Sequence, residues 1–195
     1  MNNLTGIVLS GGRSSRMGSD KSFIQFHGTQ QYLHAASLLS NVCDEVYISC
    51  NSTNAHAFGN QNNLIIDLEC YAQSGPMGGV LSSFETLGEK NLFVLGCDYP
   101  FLETADLHKL QMQFINTKNC VAYYSADHNL YEPVIAIYPH TLYARMKQRY
   151  EQGNRSLQQF LQKVTADKVA MEPPDKFSSI DTPGMRDEAI KKIKP

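Results

Sequence analysis

The residues best suited to chemistry lie in one run, Leu9-Ser10-Gly11-Gly12-Arg13-Ser14-Ser15-Arg16-Met17-Gly18-Ser19-Asp20-Lys21. Paired glycines let backbone N–H groups point into one concavity, because a residue without Cβ accepts positive φ and close approach. Arg13, Arg16 and Lys21 add three cations against a single acid, Asp20. Exposed amides beside clustered cations make a cradle for a di- or triphosphate. The common phosphate motifs are absent, with no G-x-G-x-x-G and no Gly-Lys-Ser/Thr to close a Walker A loop. The alternative on charge alone is a solvated basic loop, against which the glycine pair at the end of an apolar run weighs.

A second candidate, Gly96-Cys97-Asp98-Tyr99-Pro100, follows the apolar run Leu92-Phe93-Val94-Leu95. A carboxylate just past a buried strand is well placed to hold a hard divalent cation, which takes oxygen ligands. If the first loop binds a triphosphate, Asp98 is the natural holder of Mg²⁺. Its alternative role is to cap a helix beginning near Thr104 or to shape the turn before Pro100. A third loop, Gln73-Ser74-Gly75-Pro76-Met77-Gly78-Gly79, brings backbone close to a base or ribose, or is an ordinary glycine turn into a helix. Gly153-Asn154-Arg155-Ser156 lies between two expected helices, where Ser156 or Asn154 caps the second. The planar guanidinium of Arg155 suits gripping a phosphate or stacking on a flat heterocycle. A cation in a first turn opposes the helix dipole, which points to a use beyond solvation; the alternative is a solvated surface residue. There is no G-x-S-x-G and no H-E-x-x-H, and the six histidines are dispersed. His34, on an expected helix, reads as a packing or surface residue.

These loops need elements to hold them. Strand-length apolar runs cover Leu4–Leu9, Glu45–Ser49, Leu64–Ile66, Asn91–Leu95, Cys120–Tyr124 and Tyr131–Tyr138. Between them, Ala35, Leu38, Leu39 and Val42 repeat as one helix face, as do Leu157, Phe160, Leu161 and Val164, and also Val80, Phe84 and Leu87. Such alternation predicts a three-layer α/β fold with a mainly parallel sheet. The last two strands are joined by Ser125 to Leu130 alone, too short for a crossover helix, so one strand is antiparallel in a hairpin. Ligands of open parallel sheets bind beyond the carboxyl ends of the strands, where the candidate loops fall.

Composition sets the outer bounds. A chain of 195 residues, 42% hydrophobic and 18% charged, is read as one domain spanning 1–195. Lys and Arg number 17 against 19 acids, a net charge of −2, which argues against non-specific nucleic-acid or anionic-membrane binding. No apolar run approaches the roughly 20 residues of a membrane span, and the opening Met1-Asn2-Asn3-Leu4 does not resemble a signal peptide. Five scattered cysteines without C-x-x-C read as reduced thiols of a cytoplasmic protein, not as a disulfide framework or zinc site.

Read through to Lys21, the first loop resembles the signature of molybdenum cofactor guanylyltransferases, within the nucleotidyltransferase superfamily of Rossmann-like fold. The resemblance rests on Leu9-Ser10-Gly11-Gly12-x-x-x-Arg16-Met17-Gly18-x-Asp20-Lys21. It continues through Gly75-Pro76-x-x-Gly79, Cys97-Asp98-x-Pro100, Glu132-Pro133 and Asp181-Thr182-Pro183, and so covers nearly the whole chain. It implies transfer of GMP from GTP to the terminal phosphate of molybdenum-bearing molybdopterin, giving the guanine dinucleotide and pyrophosphate. By the same resemblance, Leu9, Ser10, Gly11, Gly12, Lys21 and Asp67 bind the nucleotide, Arg16 and Lys21 assist catalysis, and Asp98 ligates Mg²⁺. Arg155 and Asp181 fall on the acceptor side. Cofactor-insertion chaperones or apo-molybdoenzymes are the implied partners; nucleic acid and membrane are not.

Two departures stand out. Ser10 replaces the usual Ala, and Ser179-Ile180-Asp181 replaces the usual Asn-x-Asn. Competing readings are a molybdopterin cytidylyltransferase, which usually has Ala-Ala-Gly where this chain has Ser10-Gly11-Gly12, a sugar-phosphate nucleotidyltransferase, and a non-catalytic cofactor-handling module. The absence of a His/Asp pair suits the chemistry. A phosphate monoester, with a second pKa of about 6, is already a dianionic nucleophile at neutral pH and needs no general base.

Overall fold

The computed structural model describes residues 3–10, 21–59 and 63–193. The first strand, β1 (Leu4–Leu9), is buried along its length up to Leu9, as a strand covered on both faces must be. It pairs in parallel with β2 (Glu45–Cys50) on one side and β4 (Asn91–Gly96) on the other, and β3 (Leu64–Ile66) extends the sheet beyond β2. Past β4 come β6 (Leu130–Tyr138), β5 (Val121–Ser125) and β7 (Asp167–Ala170), giving the order β3-β2-β1-β4-β6-β5-β7. β6 runs antiparallel to both neighbours, while β7 is parallel to β5. The fold is thus the expected Rossmann-like α/β sheet with one antiparallel strand.

Alternate side chains of each strand feed two cores. Leu4, Val8, Phe93, Leu95, Ile135 and Ile137 pack under α1 (Gln31–Leu39) and α3 (Thr104–Thr117). Ile7, Leu92, Val94, Ala136 and Tyr138 pack on the other face under α2 (Pro76–Leu87), α4 (Tyr143–Glu151) and α5 (Leu157–Val164). Each fully buried Leu, Ile or Phe in these layers contributes about 1.5–3 kcal/mol. A final helix, α6 (Pro183–Ile193), sets Ala189 with Phe26 and Ile180 in a small cluster of its own. Val42, expected on the α1 face, falls in the turn beyond its end and is buried there all the same. Among the described residues, no helix is long and apolar enough to cross a membrane.

Two features aim residues at the carboxyl edge. The register between β5 and β6 slips, so that Ala122 faces Ala136 while Tyr123 faces Glu132. Pro133, which has no N–H to give to a ladder, sits within this bulge, and the Tyr138 hydroxyl donates to its carbonyl at 2.7 Å. The second feature is α2. A Cβ on Gly78 would lie 2.5 Å from the Tyr71 carbonyl oxygen, so only glycine lets the helix start this close to the preceding loop.

Gly78→Ala should therefore lower stability by about 1–3 kcal/mol, because a backbone carbonyl cannot swing aside. Gly184→Ala, with nothing within 4 Å of the added carbon, should be neutral or slightly stabilising. Denaturant midpoints of the two variants check this; an unchanged midpoint for Gly78→Ala would mean that the 71–75 loop yields freely.

Candidate functional site

Lys21 opens a short 3-10 turn, Lys21–Phe23, at the carboxyl edge of the sheet. Its ammonium donates to the Asp181 carboxylate and lies 3.6 Å from Asp98 Oδ2. Asp98 follows the end of β4, and Asp181 arrives from the far end of the chain. Its route is anchored by Lys176, which bridges to Asp106 at 2.8 Å and Glu103 at 2.7 Å, and by Phe177, whose ring packs on Tyr123. Ile180 N–H then donates to the Asp98 carbonyl at 2.9 Å, and Ser179 Oγ donates to Asp181 Oδ2 at 2.9 Å. The Lys21 and Asp98 side chains are only 20% and 25% exposed.

Burial raises the Asp98 carboxyl above its ordinary range, and the Lys21 charge only partly offsets this. Burial pulls the Lys21 ammonium down, but the Asp181 hydrogen bond and the charges of Asp98 and Asp181 outweigh it, so the lysine stays firmly protonated. Among the described residues, two carboxylates thus share one ammonium, which leaves their combined charge negative.

A second group meets at the ends of β1, β2 and β3. Asp67 N–H donates to the Cys50 carbonyl at 2.9 Å, and Asp67 Oδ1 accepts from Ser49 Oγ at 3.3 Å. Gly79 closes over them, since a Cβ there would come within 2.8 Å of Ser49 Oγ and 2.9 Å of Leu9 Cδ2. Burial pushes the Asp67 carboxyl up to about 6, with the Ser49 hydrogen bond pulling the other way. Leu9 belongs to both groups, because its carbonyl also accepts from Cys97 N–H at 3.3 Å.

Ser10 is buried, its N–H donates to the Ser49 carbonyl at 2.8 Å, and its hydroxyl donates to Ser22. The departure from Ala therefore ties the end of β1 to the turn that carries Lys21. Arg155 is exposed, and its guanidinium lies 5.1 Å over the Tyr150 ring. Tyr150 in turn donates to the Cys70 carbonyl at 2.8 Å and meets Ser74 Oγ at 2.8 Å, so Arg155 borders the loop leading into α2. It makes no ion pair among the described residues. His34 stacks on His27 with centroids 4.0 Å apart, and burial pushes it down to about 4, as fits a packed histidine. Gly11, Gly12, Arg13 and Arg16 lie outside the described residues.

Glu132 and Tyr99 stand within the quoted motifs, but no sequence pattern marks either as a site residue. The Tyr99 hydroxyl donates to the Glu132 carboxylate, whose carboxyl burial raises to about 7, with Asp98 and Asp181 adding to the rise. The signal that would have found them is the bulge in β6, which strand periodicity cannot reveal. Among the described residues no cluster of three or more His, Cys, Asp or Glu could hold a metal. Mg²⁺ does not ask for one, since it takes one or two carboxylates and completes its shell with phosphate and water oxygens. The all-oxygen pair Asp98 and Asp181, carrying excess negative charge, fits that ion.

The sequence model of the MobA-like NTP transferase domain matches residues 6–169. A probable molybdenum cofactor guanylyltransferase of Geobacillus sp. (strain WCH70) is 31% identical over 140 residues, 71% of each chain. The molybdenum cofactor guanylyltransferase of Pseudomonas fluorescens (strain Pf0-1) is 26% identical over 180 residues, 91% of this chain and 88% of that one. Among solved structures, molybdopterin-guanine dinucleotide biosynthesis protein A from Archaeoglobus fulgidus superposes with a TM-score of 0.76 at 20% identity, over 96% of this chain and 97% of that one. At that identity the likeness is one of fold.

The Asp67 environment has a measurable consequence. Its folded value of about 6 exceeds the ordinary 3.8, so between these pH values the folded state holds a proton that the unfolded state has lost. Wild-type stability therefore falls as pH rises from 4 to 6 and stays at the lower level above. Asp67→Asn removes this cost. It should gain on the order of 1 kcal/mol above pH 6, after allowance for solvent screening, and nothing at pH 4. Urea titrations at the two pH values check it, and an equal gain at both would assign the effect to packing.

Proposed function

Because the chain belongs to the MobA-like NTP transferase family, we propose that it transfers GMP from GTP to the terminal phosphate of molybdenum-bearing molybdopterin. The observation that carries this reading is the Lys21 ammonium held between the Asp98 and Asp181 carboxylates at the sheet's carboxyl edge. The names of the Geobacillus and Pseudomonas relatives support the choice of guanylyl transfer.

In this reading the acceptor phosphate attacks the α-phosphorus in line. A P–O bond forms to the acceptor as the bond to the leaving pyrophosphate breaks, and no side chain need remove a proton. Lys21, with Arg16 and the amides of Gly11 and Gly12, would stabilise charge on the polyphosphate. Asp98, with Asp181 as a second oxygen donor, would hold Mg²⁺, which when bound neutralises phosphate charge. Asp67 and Leu9 are assigned to the base side. A buried carboxylate accepts the two adjacent N–H donors of a guanine edge, whereas adenine offers one donor beside an acceptor. Arg155 and Asp181 remain the acceptor-side candidates. The reading includes a cytoplasmic setting, which the five free cysteines support, and a single domain, since one sheet carries both halves of the site. Cofactor-insertion chaperones or apo-molybdoenzymes would receive the product.

Turnover with purified molybdopterin should favour GTP over CTP by about 10²-fold in kcat/KM, because the wrong base leaves buried polar groups unpaired. Equal or better use of CTP would move the protein to cytidylyl transfer. Asp98→Asn should lose about 10²–10³-fold in turnover; near-wild-type activity at ordinary Mg²⁺ would remove the metal assignment. Arg155→Ala should raise KM for molybdopterin and leave GTP affinity unchanged, and unaltered acceptor kinetics would exclude Arg155 from the acceptor site.

A further inference from the structure

The run Cys97-Asp98-Tyr99-Pro100 is held at every residue. Cys97 N–H donates to Leu9, the Asp98 carbonyl accepts from Ile180 N–H, and the Pro100 carbonyl accepts from His27 Nε2 at 2.8 Å. Tyr99, 5% exposed, is held by its side chain, whose hydroxyl donates to Glu132. A Cβ on Gly96 would lie 3.0 Å from Asp98 Oδ1, 3.2 Å from Tyr99 Cε2 and 3.0 Å from Val134 Cγ2. The Asp98 carboxylate and the Tyr99 ring therefore both lie against the bare spot at the end of β4, on neighbouring residues of one tightly held run.

Glu132 is an expensive residue to put there. It is mostly buried and already faces the charges of Asp98 and Asp181, and a third carboxylate costs free energy that a neutral side chain would not. The β6 bulge nevertheless delivers it, and the Tyr99 hydroxyl donates to it. We infer that Glu132 is a positioning residue which, by receiving the Tyr99 hydroxyl, fixes the Asp98 carboxylate in the orientation that takes the cation of a metal–nucleotide complex. The inference rests on the nucleotidyl-transfer reading of the site. Glu132 acts through an accepting oxygen, not through its charge, and this separates it from a direct metal ligand.

The test is Mn²⁺ uptake, followed by electron paramagnetic resonance with GTP present, in wild type, Tyr99→Phe, Glu132→Ala and Glu132→Gln, with a melting curve for each. Tyr99→Phe keeps the ring and removes only the hydroxyl, and Gln keeps an accepting oxygen while removing the charge. Tyr99→Phe and Glu132→Ala should weaken Mn²⁺ binding by about tenfold or more, the scale of a hydrogen bond to a charged group, with metal-free GTP affinity unchanged. Glu132→Gln should stay close to wild type. Wild-type Mn²⁺ binding by Tyr99→Phe overturns the inference. So does a loss in Glu132→Gln that equals that of Glu132→Ala, since Glu132 would then act by charge. Parallel titrations with CTP and ATP distinguish the two readings: uptake with CTP but not GTP would end the guanylyl reading and leave the variant comparison intact. No Mn²⁺ uptake by wild type with any of the three nucleotides would overturn the positioning role itself.

Discussion

The carboxyl edge depends on pairing the Lys21 ammonium, mostly withdrawn from water, with the carboxylates of Asp98 and Asp181. Lys21, Asp98 and Asp181 come from three distant parts of the chain and converge on a single Nζ. Charges so placed lose hydration, and the loss is tolerable only when partners sit at hydrogen-bonding range. The Lys21 ammonium supplies that partner for both carboxylates, and the surrounding backbone is organised to hold it there. Ser10 ties the Lys21 turn to β1, while Ile180 N–H ties the Asp181 loop to the Asp98 carbonyl.

The sheet explains how such separated residues meet. Every parallel strand ends on the same edge, so the loops after β1, β3 and β4 are neighbours whatever their distance in sequence. The antiparallel β6 adds something that a parallel strand cannot. It enters the sheet from the carboxyl edge, and its bulge leaves Glu132 at the mouth of the site, bonded to the tyrosine beside Asp98. The C-terminal segment closes the arrangement from outside, held by Lys176 on the first turn of α3.

What could be read from sequence follows the strength of the burial signal. β1 and β4 are covered on both faces and spell themselves out as apolar runs, so the loops after them, which carry Lys21 and Asp98, are legible in the sequence. β7 carries no such signal, since Asp167-Lys168-Val169-Ala170 alternates half-buried with exposed positions and has no apolar run. Asp181 was assigned to the acceptor by resemblance, and its hydrogen bond to Lys21 is a contact 160 residues apart that no local pattern encodes. Glu132 was legible only as part of a motif, because a register slip depends on the pairing partner and not on the strand's own residues. Ser10 read as a tolerated substitution, whereas its hydroxyl has a definite partner in Ser22.

The charge balance also constrains what the site can accept. Among the described residues, Asp98, Asp181 and Glu132 set three carboxyl groups against the one ammonium of Lys21. A bare polyanion would meet those carboxyl groups directly, and a free divalent cation would find carboxylates but too few ligands to fill its shell. A polyphosphate that already carries its cation meets both needs at once. Its metal answers the carboxylates, and its remaining phosphate oxygens answer Lys21 and whatever cations the preceding loop supplies. The same reasoning explains why Asp67 lies apart from this group, across Leu9 at the ends of β2 and β3. In the proposed reading, a carboxylate that receives the N–H donors of a neutral ring stays away from the metal, and β2 and β1, the two strands between β3 and β4, provide the separation.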